Sequence, residues 1–317
     1  MKICFNLIVL TAFSFSLHAQ QVSSTKIFTE DIDHFWKAYD SVLKVTDSVM
    51  QRDIIQTQYL DKASKGLKGF MALRQHTAAR HLQNIHRYPK FWPSVRPKTL
   101  DIEHHRTEIE SMMKKFSKRY PGFKQPELYF TIGCLNSGGT TSSDQVLIGA
   151  EIAASDKTVD ASELNSWLQS VFQAQQDIVF LVTHETVHTQ QHGSGSSNLL
   201  TSCLREGSAD FISSLLIKKE LSSPYIIYGK ANEKMIWEKF ALEKDGKDVQ
   251  NWLYNGGRAK NEPADLGYFM GYTICKSYYK NAKDKKQAFI EIVNLNYNSP
   301  TDVKAFFEKS GYNEKWK

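Results

Sequence analysis

Little in this sequence is left for thiol chemistry. Four cysteines occur in 317 residues, at positions 4, 134, 203 and 275, and no CxxC pair is present, which excludes a thiolate zinc site of the ribbon or finger type. Past the N-terminus no stretch approaches about 18 consecutive apolar residues, so no stable membrane insertion is expected of the mature chain. Forty Lys and Arg stand against 34 Asp and Glu, a net charge of +6. No run among them is dense enough for a nucleic-acid groove, and a solvated surface accounts for the charges. There is no internal repeat and no long linker. Hydrophobic content of 41% is ordinary for a globular chain with a sizeable core.

The N-terminus carries more information. Lys2 precedes an apolar stretch from Ile3 to Leu17 that ends in Leu17-His18-Ala19, the layout of a signal peptide cut before Gln20. Cys4 lies too close to the start for a lipoprotein cleavage site. Residues 1–19 are therefore expected to be a signal and 20–317 a single exported domain, periplasmic or extracellular. Cys134, Cys203 and Cys275 remain after cleavage, which allows one disulfide with a spare thiol or three buried free thiols.

Helical periodicity dominates the first third, about 27–120. Apolar residues recur on one face over Glu30–Met50 and over Leu60–Ile85; the Tyr88–Pro93 segment breaks the pattern, and a third helix is expected over about Leu100–Tyr120. Leu128–Ile132 and Val146–Ile148 are β-rich, separated by the turn-like Asn136–Thr140. Helical texture resumes from Glu163, giving a middle part to about residue 222 and a helical C-terminal part over 223–317. The expected class is α+β, predominantly helical, with a small sheet packed on the helix that bears the candidate site.

That helix contains His184-Glu185-Thr186-Val187-His188. Residues four apart share a helix face, so two imidazoles meet one zinc ion while Glu185 projects beside it, placed as a general base for zinc-bound water. The third ligand sorts the possibilities. A metzincin needs Gly at 191 and His at 194, but Gln191 and Ser194 stand there. A gluzincin needs a Glu on a following helix with an acid one turn on, and Glu206 and Asp210 supply both. Asp210 is expected to accept the free N–H of His184 and fix its tautomer. His192 extends the i, i+4 series as a candidate fortuitous ligand, against which Gly193 begins the helix break. Tyr268 and Tyr272, one turn apart beside Gly267 and Gly271, are candidate oxyanion donors or core aromatics, with Arg205 and Arg258 as basic alternatives.

The two helices resemble the thermolysin-type gluzincin pair. The wider chain resembles a family of predicted bacterial zinc-dependent proteases, through Phe35-Trp36-Lys37-Ala38, Gly138-Gly139-Thr140, Ile148-Gly149-Ala150-Glu151, Arg205-Glu206-Gly207 and Gly267-Tyr268 to Gly271-Tyr272. The resemblance implies one Zn2+ per chain held by His184, His188 and Glu206, and hydrolysis of a peptide or protein substrate. It also implies that Gln145–Ile152 is an edge strand lining the cleft. Gly149 and Glu151 would then touch substrate, Glu151 through a free amine, unless it is a surface ion-pair residue. The rival expectation is a non-catalytic binding or envelope-assembly protein that keeps the same fold. The intact Glu185 favours the enzyme.

Overall fold

The computed structural model describes residues 25–173, 177–193 and 197–316; the expected signal at 1–19 lies outside them. Among these residues the chain is predominantly helical with one four-stranded sheet. The strands are β1 (Ile27–Phe28), β2 (Glu127–Thr131), β3 (Gly139–Ser142) and β4 (Gln145–Gly149), in spatial order β1-β2-β4-β3. β1, β2 and β4 run parallel, and β3 returns antiparallel to β4 along the edge.

Alternation along the strands explains how this small sheet is covered twice. Leu128, Phe130, Val146 and Ile148 belong to a continuous hydrophobic core that extends from Ile32 to Tyr312. Tyr129 and Leu147 point the other way, into a small separate core with Phe70. Phe70 lies on the helix Lys65–Arg74, which approaches so closely that a Cβ on Gly66 would sit 2.0 Å from the Tyr129 ring.

The N-terminal helices are more broken than their periodicity suggests. Glu30–Met50 divides into helices Glu30–Val42 and Ser48–Gln58, the second capped by the Asp47 carboxylate on the Met50 N–H at 2.8 Å. Leu60–Ile85 divides at Gln75, whose φ of 54° ends Lys65–Arg74 before Thr77 caps Ala78–Arg87. The Tyr88–Pro93 break is short, because Phe91–Leu100 is itself helical; Pro93 lies in its first turn, where no N–H is required. The expected third helix begins later, at Arg106, after a 3-10 turn over Ile102–His105.

Two helices position the candidate site. Ile178–Gln190, the HExxH helix, is capped by Asp177 and buried on nearly all sides. Leu199–Ile217 carries Glu206 and is capped by Asn198 on the Thr201 N–H. It crosses Leu266–Asn281 at Gly207 and Gly271, where a Cβ on Gly271 would lie 1.8 Å from the Cys203 carbonyl oxygen. Gly271 thus makes room for a helix backbone. Cys134, Cys203 and Cys275 are free and buried, the second of the two arrangements left open above.

Candidate metal centre

The spacing of the HExxH helix brings His184 Nε2 and His188 Nε2 to 3.0 Å. Glu206 Oε2 lies 3.1 Å from the second nitrogen and 3.5 Å from the first. A circle through three atoms so spaced has a radius of about 1.9 Å, so a position at the usual zinc–ligand distance of about 2.0–2.1 Å lies just off their plane.

Each of the three side chains is also held from behind. Asp210 Oδ1 is 2.8 Å from His184 Nδ1, and the Tyr225 hydroxyl donates to Asp210 Oδ2 at 2.9 Å. His188 Nδ1 pairs with Gln191 Oε1 at 2.7 Å, while the Gln191 amide donates to the Arg205 carbonyl and to Ser208 Oγ. These acceptors fix both imidazoles with Nε2 toward the shared point. Glu206 Oε1 accepts from the Tyr254 hydroxyl at 2.8 Å and Arg205 Nη1 at 3.0 Å, leaving Oε2 for the centre.

The carboxylates of Asp210 and Glu206 set the electrostatics of the cluster. Burial opposes charging of His184, but its hydrogen bonds to Asp210 and Glu206 overcome this and push it up to about 10. Burial also pushes Glu206 up, and the two imidazoles reverse this and hold it well below the usual carboxylate range. Burial raises Glu185.

The cluster opens into a cavity of about 660 Å³ whose walls include Arg74, Gly139, Thr140, Arg205, Tyr254 and Tyr268. Glu185 lines it and packs on Gly139 of β3, where a Cβ would stand 2.8 Å from the Glu185 side chain. Tyr268 stacks near His184, with ring centroids 6.1 Å apart. Tyr272 lies outside the cavity lining and packs edge-on to Phe211. Arg205 lines the cavity and Arg258 does not. His192 is drawn into a backbone bridge with Asn296.

The expected cleft strand needs correction. β4 is paired on both sides and is internal, and the edge beside the cleft is β3. Gly149 therefore lies under the 133–138 loop, a Cβ there falling 2.4 Å from the Ser137 carbonyl oxygen. Glu151 is neither at the surface nor in the cavity lining. Its buried carboxylate accepts the Gly133 and Leu135 N–H groups at 2.8 and 3.1 Å, and burial raises it to about 7.

Sequence reasoning missed Gln191, Tyr225 and Tyr254. Gln191, one turn past His188, carried a local signal. The tyrosines, from segments remote in sequence, carried none.

No curated protein and no solved structure matches the chain. One family model does, over residues 18–314, and its description is gliding motility protein GldB. This finding overturns the reading as a zinc-protease family member, a peptidase and a hydrolase of peptide substrates. The intact Glu185, which favours the enzyme on sequence alone, does not by itself require turnover, and it has a packing partner in Gly139. With the match spanning nearly all of its length, the chain belongs to the family of the gliding motility protein GldB.

Proposed function

We propose that this protein is an exported, non-catalytic envelope component of gliding motility that binds another protein and uses one zinc ion to organise its cleft. The family match over residues 18–314 carries the reading. His184, His188 and Glu206 would hold the ion, with Asp210 orienting His184. The ion would tie the HExxH helix to the helix Leu199–Ile217. Three protein donors leave zinc short of its usual four, so a donor from a partner protein entering the cleft completes the set. Arg74, Arg205 and the aromatic wall of Tyr254 and Tyr268 suit an acidic or aromatic segment. Among the described residues no helix is long and apolar enough to cross a membrane.

The test is complementation of a gliding strain that lacks its own copy. Glu185→Gln should restore gliding like the parent, whereas His184→Ala with His188→Ala should not, at equal protein levels. Loss of gliding with Glu185→Gln, while zinc content and fold are retained, would refute the non-catalytic reading.

A further inference from the structure

A second cluster of metal-binding side chains lies away from the cleft. His76, His81 and Cys134 are all buried, and one donor atom from each lies within 4.8 Å of the others. The local structure that assembles them is firm. His76 and His81 flank the junction between helices Lys65–Arg74 and Ala78–Arg87, where Gln75 takes φ of 54°. Cys134 lies in the loop after β2, and its carbonyl accepts the Asn84 side-chain amide at 3.0 Å. Glu151 grips the N–H groups on either side of it, at Gly133 and Leu135.

The imidazoles are the anomaly. His81 is 1% exposed, and neither of its ring nitrogens has a hydrogen-bond partner. His76 has one nitrogen facing Asn136 Oδ1 at 3.4 Å, while its Nδ1 is also unpartnered. A buried polar atom without a partner is costly, and two rings bearing such atoms meet beside one buried thiol. The rings meet edge to face at 5.6 Å, walled by Phe70 on one side and by Tyr59 and Phe35 on the other.

From this juxtaposition we infer that His76, His81 and Cys134 form a copper(I) site. Two imidazoles and a thiolate are soft to borderline donors, the set that selects copper(I) or zinc over hard cations. The donor number separates these two. Zinc requires about four ligands, and the cluster offers three among the described residues, in a pocket closed by aromatic rings. Copper(I) is satisfied by three and, with one thiolate, forms a neutral centre that a dry core tolerates. Donors around one bound ion stand about 3.5 Å apart, so side-chain rotation of about 1 Å closes the site. Binding replaces the Cys134 thiol proton with the ion, releases that proton to solvent and changes no oxidation state.

The site fastens the 133–138 loop, whose Asn136, Ser137 and Gly138 form part of the cleft wall, to the two N-terminal helices.

The test is an anaerobic titration of the reduced mature chain with copper(I) held as its bicinchoninate complex. One copper per chain should be withdrawn, with a thiolate-to-copper ultraviolet absorption. The variant His184→Ala with His188→Ala should retain this, and Cys134→Ser or His81→Phe should weaken it more than tenfold. X-ray absorption of the copper-loaded parent, which needs no variant to fold, should show one sulfur and two nitrogen ligands. Added Zn2+ should displace no copper. The inference falls if no copper is withdrawn, if the bound copper lacks a sulfur ligand, or if folded Cys134→Ser binds like the parent. Displacement by zinc would overturn the choice of ion.

Discussion

The two histidine clusters differ in how their nitrogens are occupied. In the cleft, each imidazole has Nδ1 engaged, on Asp210 or Gln191, and turns Nε2 to the shared centre. In the core, three nitrogens of His76 and His81 face nothing that accepts or donates. The cleft cluster is oriented before any ion arrives and opens into a cavity, while the core cluster bears an uncompensated burial cost until something fills it.

The largest expected effect is on the cleft. His184→Ala with His188→Ala should lower zinc affinity by more than about 100-fold, since losing an outer partner alone costs about 10–100-fold. Calorimetric titration checks this, and parent-like zinc binding would remove the centre proposed here.

Gly271→Ala comes next. A methyl group 1.8 Å from the Cys203 carbonyl cannot be accommodated without helix displacement, so a loss of about 3 kcal/mol or more is expected. Thermal melting should show it as a fall of roughly 5 °C or more. If zinc binding weakens while copper(I) binding at the core cluster does not, the two sites are mechanically independent.

Asp210→Asn sharpens the contrast within the cleft. It keeps the shape and removes the charged acceptor of His184, so zinc affinity should drop about 10–100-fold with melting little changed. An unchanged affinity would make the pre-orientation irrelevant.

His81→Phe probes the core cluster without metal. Removing an unpartnered imidazole should be neutral or stabilising by about 1 kcal/mol near pH 7.5. Burial lowers His81 from the ordinary value of 6.5 to about 3, so the unfolded chain takes up a proton below pH 6.5 that the folded chain refuses. Parent stability therefore falls as pH drops from 6.5 toward 3, and the variant escapes this loss. At pH 5 its advantage should widen by about 2 kcal/mol. Equal pH dependence in parent and variant would show that His81 is not buried neutral.

This comparison also explains what the sequence could show. His184 and His188 share one helix face, so their meeting follows from spacing alone, and Glu206 with Asp210 repeats the pattern one helix later. His76 and Cys134 come together only through the junction at Gln75 and the loop clamped by Glu151, neither of which leaves a local periodic signal. The predominantly helical class was readable from the same periodicity. The internal place of β4 was not, because a buried run such as Val146-Leu147-Ile148 reads alike at an edge or a centre when both faces are covered. Function failed for a different reason: ligand geometry is common to metal sites that turn over and metal sites that bind.

The crossing at Gly207 and Gly271 has a mechanical consequence. Helices separated by side chains can slide, because rotamers rearrange as one surface shifts over the other. Here backbone lies on backbone, with a carbonyl seated where a Cβ would be. Displacement along the crossing must lift one helix over the other, which makes the pair stiff in shear. Glu206 on one helix and Tyr268 on the other both line the cleft, so a pull applied at either helix moves these two side chains together, as one rigid wall.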